Sequence, residues 1–220
     1  MNIASYIDHT ILKPATVIDD VRNLCSEAKE YGFAAVCVPP PFVKSSKNLL
    51  KDSSAKVATV IGFPFGYSVA RAKLAEVQQA LADGADELDI VINLTALKSG
   101  SWNYLSSEME LLMEPVHEHK KLVKVIIESG ILSDEEIVRC CEIYAKPGVD
   151  FLKTSTGYAA IGATLHAVQL MRQNLPSTVK IKASGGIRTY EAAKTFIDAG
   201  AERIGCSAGV AIVQQQLSAR

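Results

Sequence analysis

The stretch Gly148-Val-Asp-Phe-Leu-Lys-Thr-Ser-Thr-Gly157 leads from a helix end into a strand, and its opening layout recurs three times along the chain. Gly32-Phe-Ala-Ala-Val36, Gly84-Ala-Asp-Glu-Leu88 and Gly200-Ala-Glu-Arg-Ile204 each set a glycine, suited to the left-handed position past a helix, just before an aliphatic run. The segments ahead of these glycines carry helix signals. Thr16 with Asp19 resembles a capping box, followed by a stripe of Val21, Leu24, Cys25 and Ala28. Ser133 with Glu136 repeats the cap ahead of Ile137, Cys140, Cys141 and Tyr144.

Eight aliphatic runs alternate with such segments: Ser5–His9, Ala34–Val38, Val57–Gly62, Asp86–Asn93, Leu122–Glu128, Asp150–Ser155, Lys180–Ser184 and Arg203–Cys206. Most begin about 23 to 36 residues apart, the size of one strand–helix unit. Alternation of this kind implies parallel pairing, because each crossover returns the chain to the same end of the sheet. The expected fold is a (β/α)8 barrel of the TIM type, one catalytic domain over residues 1–220, close to the compact limit for that architecture. An open doubly wound sheet is the alternative, but no G-x-G-x-x-G follows the first run.

Composition narrows the function classes. Hydrophobic residues make up 48% and charged residues 21% of the chain, and the net charge of −1 lacks the basic excess of a nucleic-acid or membrane-surface binder. No apolar stretch approaches the roughly 20 residues of a membrane span, and Met1 to His9 does not read as a signal peptide. The five cysteines have no metal-like spacing, so reduced thiols in a cytoplasmic protein are expected. Neither a metal-ligand cluster nor a dinucleotide fingerprint is present in the sequence, and no metal or cofactor is expected.

In parallel barrels the chemistry lies at the carboxyl ends of the strands. Among the polar residues of the strand runs, three stand out: Asp89, Lys153 and Lys182. A lone lysine in a strand is more often one that reaches solvent at the strand end. Two lysines and an aspartate on the fourth, sixth and seventh runs favour a shared interior space, where unpaired charge is expensive. An amine that works as a nucleophile near neutrality needs its pKa lowered from about 10.4 to roughly 7–8. That fall equals roughly 4 kcal/mol, about the repulsion of two unit charges some 4 Å apart at an effective dielectric near 20. One neighbouring ammonium is therefore enough to activate a lysine, with a carboxylate to keep that neighbour charged. Spacing does not say which lysine plays which part.

A second constellation reads as a phosphate site. Gly185-Gly186-Ile187-Arg188 follows the seventh run, and Gly205-Cys206-Ser207-Ala208 follows the eighth and opens the last helix. Glycines admit an anion to backbone N–H groups, and a helix start supplies free N–H groups with a favourable dipole. Ordinary turn glycines and an N-cap serine are the plainer reading. Two such turns in successive units, after strands seven and eight, favour phosphate.

Phe151-Leu-Lys-Thr-Ser-Thr-Gly157, taken with Lys180-Ile-Lys-Ala-Ser-Gly-Gly-Ile-Arg188, resembles the paired signature of the deoxyribose-phosphate aldolase family. Ile7-Asp-His-Thr10, Val36-Cys-Val-Pro39, Val60-Ile-Gly-Phe-Pro64, Asp86-Glu-Leu-Asp-Ile-Val91 and Lys124-Val-Ile-Ile-Glu128 extend the likeness over nearly the whole chain. The resemblance implies a metal-free lyase of deoxyribonucleoside catabolism that cleaves 2-deoxy-D-ribose 5-phosphate to D-glyceraldehyde 3-phosphate and acetaldehyde. Lys153 would form the Schiff base, Lys182 would depress its pKa, and Asp89 would hold Lys182 and relay protons through a water. Gly157, Gly185, Gly186, Gly205 and Ser207 would bind the phosphate. A Schiff-base aldolase for another sugar phosphate is the alternative, and a non-catalytic sugar-phosphate binder is disfavoured because it needs neither lysine.

Two departures from the family accompany the likeness. Tyr158 stands where some members carry a phosphate-holding lysine. The chain closes at Arg220 without a tyrosine-tipped tail, leaving proton transfer to Asp89, Lys182 and water. His9 reads equally as a substrate contact or a structural residue, and His117, His119 and His166 as exposed helix residues. Trp102 reads as a loop anchor and Cys37 as a buried inert thiol. A homo-oligomer, dimer or tetramer, is left open.

Overall fold

The structure, a computed structural model, describes residues 1–218, so Arg220 lies outside the described residues. Eight parallel strands close into a barrel in chain order: β1 (Ile7–Thr10), β2 (Ala35–Val38), β3 (Lys56–Ile61), β4 (Glu87–Val91), β5 (Leu122–Ile126), β6 (Phe151–Lys153), β7 (Lys180–Ser184) and β8 (Arg203–Cys206). β8 returns to β1 with Asp8 opposite Gly205. Around the barrel run α1 (Ile18–Tyr31), α2 (Val43–Leu49), α3 (Ala70–Ala82), α4 (Leu94–Lys98), α5 (Trp102–Glu118), α6 (Asp134–Tyr144), α7 (Leu165–Asn174), α8 (Tyr190–Asp198) and α9 (Gly209–Ser218). The expected (β/α)8 architecture is the one observed.

Strand alternation sorts the side chains into two populations. Val36, Val38, Leu88, Ile90, Val123, Val125, Leu152, Ile181 and Ile204 face the helices and join the main core between barrel and outer ring. Inside the barrel, Cys37, Ala58 and Val60 form a separate small apolar cluster. The rest of the interior is largely charged.

Local signals behave largely as predicted. Gly32, Gly84, Gly148 and Gly200 all have positive φ. The Ser133 hydroxyl accepts from the Glu136 N–H (3.3 Å), and the Glu136 carboxylate accepts from the Ser133 N–H (2.9 Å). The first cap is displaced by one residue: Asp20, not Asp19, accepts from the Val17 N–H (2.9 Å). The Thr16 hydroxyl instead donates to the Lys13 carbonyl (2.7 Å), so it is spent on the preceding turn.

Several strands are shorter than the aliphatic runs suggest. Ile3–Tyr6 forms a 3-10 turn ahead of β1, with the Asn2 side chain accepting from the Ala4 N–H. Asn93 leaves the β4 run to cap α4, where it accepts from the Ala96 N–H (3.0 Å). β6 stops at Lys153, which turns Thr154 to Gly157 into an active-end loop. All five cysteines are free and buried. Among the described residues no helix is long and apolar enough to cross a membrane.

Candidate active site

Neighbouring strands bring the charged residues into register. Asp89 on β4 lies opposite Lys124 on β5, and Lys153 on β6 lies opposite Lys182 on β7. Asp89 Oδ2 accepts from both Lys153 Nζ and Lys182 Nζ, each at 2.7 Å. Its Oδ1 accepts from Lys124 Nζ at 2.8 Å. Lys182 Nζ also reaches Asp8 Oδ2 at 2.5 Å, on β1, the next strand but one around the ring. Lys124 pairs with Glu87 at 2.5 Å and lies 3.7 Å from Asp8. Arg203 on β8 bonds Asp8 and, at 2.6 Å, Glu87.

Sequence reasoning picked three members of this network and missed four: Asp8, Glu87, Lys124 and Arg203. The same criterion, a charge at an inward strand position, applies to Lys124, which alternates with the helix-facing Val123 and Val125.

Counting charges distinguishes the lysines. The carboxylates are Asp8, Glu87 and Asp89; the cations are Lys124, Lys153, Lys182 and Arg203, one too many. Lys124 has three carboxylates within 4 Å, while Lys182 and Arg203 each have two. Lys153 has one. A buried excess charge is costly, so the least supported amine is the one that gives up its proton.

The pKa directions agree. Burial pushes the Lys153 amine below its ordinary value; Asp89 opposes the fall and the Lys182 ammonium adds to it. Lys182 is held above its ordinary value: burial works against the charge, but Asp8 and Asp89 outweigh it. For Asp89, Lys124, Lys153 and Lys182 together overcome burial and keep the carboxylate well below its usual range. The sequence argument assigned the activation of Lys153 to a neighbouring ammonium. The structure ranks burial first and the ammonium after it, because the amine sits on a nearly dry floor.

Above that floor opens a cavity of about 570 Å³ at the carboxyl ends of the strands. Lys153 lines it together with Gly157, Gly185, Gly186, Gly205 and Ser207, while Lys13 and Arg188 also border it. Asp89 and Lys182 are fully buried beneath and do not line it. The glycine turns meet at bare backbone: a Cβ on Gly185 would lie 2.9 Å from Gly162 Cα and 3.5 Å from Gly157 Cα. Gly205 has a further task, since a Cβ there would lie 2.9 Å from Lys182 Cε.

Other candidates take plainer places. The Tyr158 hydroxyl donates to the Leu12 carbonyl (2.7 Å), and its ring meets Phe63 edge-on, so it clasps the loop after β1. His9 borders the cavity but is tied to Glu27 at 2.6 Å. Cys37 is buried, and burial pushes its thiol up to about 11. His117 and His119 are exposed; His166, also exposed, pairs with Asp134 at 2.8 Å. Trp102 opens α5 and packs on the core.

Removing the common anion is expected to be severe. Asp89→Asn takes a carboxylate from three buried lysines, leaving Lys153 with none and the network two carboxylates against three other cations, and should lower unfolding stability in urea by about 3–5 kcal/mol. A loss below about 1 kcal/mol would mean that solvent, not Asp89, compensates these charges.

A parallel barrel with an amine on the floor of a glycine-lipped cavity has the parts a Schiff-base aldolase needs. The model of the DeoC/LacD family aldolases matches residues 2–215, and the chain belongs to that family. It is 50% identical to the deoxyribose-phosphate aldolase of Thermococcus gammatolerans over 216 residues, 97% of this chain and 96% of the relative. It is 48% identical to that of Caldanaerobacter subterraneus subsp. tengcongensis over 98% of this chain and 94% of the relative. Among solved structures, the tetrameric deoxyribose phosphate aldolase from Aeropyrum pernix superposes with a TM-score of 0.92 at 33% identity, covering 99% of this chain and 92% of that one.

Proposed function

We infer that this chain is a deoxyribose-phosphate aldolase, which cleaves 2-deoxy-D-ribose 5-phosphate reversibly to D-glyceraldehyde 3-phosphate and acetaldehyde. The observation that carries the reading is Lys153: one carboxylate partner, a lowered pKa, and a place on the cavity floor. The neutral amine adds to the C1 aldehyde of the open-chain sugar, and loss of water gives an iminium. Deprotonation of the 3-hydroxyl then breaks the C2–C3 bond, with the electron pair passing into the iminium to form an enamine. The C3 fragment leaves as glyceraldehyde 3-phosphate. Protonation at C2 and hydrolysis release acetaldehyde and return the lysine.

In this scheme Asp89 takes and returns protons at the Lys153 amine, directly or through a water, and Lys182 stays charged beside it. The phosphate sits at Gly157, Gly185, Gly186, Gly205 and Ser207, near the start of α9, where free N–H groups and the helix dipole favour an anion. We place the enzyme in the cytoplasm, acting as one catalytic domain and as a homo-oligomer, in keeping with the tetrameric relative.

Acetaldehyde release from 2-deoxyribose 5-phosphate tests the activity; release of another carbonyl product from another sugar phosphate, with none from this one, would point to a different substrate. Ser207→Glu tests the phosphate site. A carboxylate placed against the substrate anion should lower kcat/KM for 2-deoxyribose 5-phosphate at least about tenfold more than for unphosphorylated 2-deoxyribose. Equal losses on both substrates would detach Ser207 from the phosphate.

A further inference from the structure

Glu128, just beyond β5, has a left-handed backbone (φ 55°, ψ 56°), a conformation that disfavours any residue with a Cβ. Among the described residues only Lys120, exposed in a turn, shares a positive φ without being glycine. Glu128 is buried, and its carboxylate forms no ion pair with the described residues. Its partners are all on Thr156: the N–H donates to both oxygens, at 3.2 and 3.3 Å, and the hydroxyl donates to Oε2. The Thr156 hydroxyl in turn accepts from the Tyr158 N–H at 3.1 Å. One residue on, the Ser129 N–H donates to the Thr154 carbonyl at 2.7 Å.

Glu128 and Ser129 therefore grip Thr154 and Thr156, two of the three residues that separate Lys153 from Gly157. Glycine would meet the backbone demand without strain, but would leave Thr156 without its acceptor. Glu128 does not itself line the cavity, whereas Thr156 does. We propose that Glu128 is a positioning residue for the phosphate turn: it fixes Thr156 so that the Gly157 backbone faces the substrate anion while Lys153 stays at the floor. This rests on the reading of the cavity given above.

The test uses the full chain with 2-deoxyribose 5-phosphate and with unphosphorylated 2-deoxyribose. Wild type must cleave the former, and absence of cleavage would overturn the underlying reading and this inference with it. Glu128→Ala should raise KM for the phosphorylated sugar about tenfold or more, the scale of one lost hydrogen bond to a charged group, with kcat and the unphosphorylated reaction changed far less. Glu128→Gln, which keeps an acceptor, should recover much of the loss. Thr156→Val should reproduce the defect and Thr156→Ser relieve it, a pair that carries the test if Glu128→Ala fails to fold. Glu128→Ala combined with Thr156→Val should be no worse than the poorer single variant. Equal losses on both sugars, a Thr156→Ser variant as impaired as Thr156→Val, or fully additive losses would each overturn the assignment.

Discussion

Lys153→Leu is expected to lower kcat/KM for 2-deoxyribose 5-phosphate by about 10⁵-fold or more, the scale seen when a covalent nucleophile is removed. Stability should move the other way or not at all. With Lys153 gone, Asp8, Glu87 and Asp89 face Lys124, Lys182 and Arg203, three against three. A buried amine with one carboxylate partner is replaced by a shorter apolar chain, an exchange that removes the desolvation cost of the polar group and is neutral or favourable in low-dielectric sites. The urea midpoint should therefore hold or rise while activity disappears. In wild type, borohydride with substrate should fix the substrate mass on the peptide containing Lys153. Trapping on the Lys182 peptide alone would reverse the two roles, and loss of fold in Lys153→Leu would sink the charge argument.

Lys182→Leu should leave a small activity that rises toward alkaline pH. Catalysis needs neutral Lys153, and the neutral fraction grows as pH rises through its pKa. Removing Lys182 deletes a repulsive cation and leaves Asp89 Oδ2 to Lys153 alone. Both changes favour protonated Lys153 and raise its pKa, so the alkaline shift has one sign. Asp89 is not left bare, because Lys124 holds Oδ1. The shift should therefore fall on the order of one to three pH units, the upper end being the unscreened repulsion at close range. Lys182→Arg keeps the charge with a different donor geometry and should shift less. The pH dependence of kcat/KM for the three proteins checks this. Lost activity without an alkaline shift would give Lys182 a role in proton transfer alone.

The barrel was legible because glycines at helix ends and regularly spaced aliphatic runs are both local signals, readable without knowing any long-range contact. Lys153, Lys182 and Asp89 were legible for a related reason: a charge in an aliphatic run contradicts its surroundings. Asp8 gave no such contrast, because His9 and Thr10 beside it make Ile7–Thr10 read as a polar strand end. Glu87 and Arg203 begin their strands, where a charge ordinarily reaches water. Their partnership depends on which non-adjacent strands face each other across the axis, a property of barrel closure and not of any window of sequence. Glu128 carries no signal of its role in the sequence, since residue type alone does not reveal a left-handed backbone. The displaced cap at Val17 has a smaller cause, a threonine hydroxyl taken by the turn before the helix.

The buried ion network also acts as a latch. It joins Asp8 to Lys182 and to Arg203, residues 174 and 195 positions apart in the chain, and reaches β4, β5 and β6 between them. Neither half of the barrel contains a complete set: strands β1 to β4 hold the carboxylates, and β5 to β8 hold the cations. Contacts of such sequence separation form late, after most of the chain-closure entropy has been overcome. A chain that has folded its helices but has not docked β8 against β1 lacks the charge balance that neutralises Lys153. Return of activity on refolding is therefore expected to follow that closure rather than the gain of secondary structure.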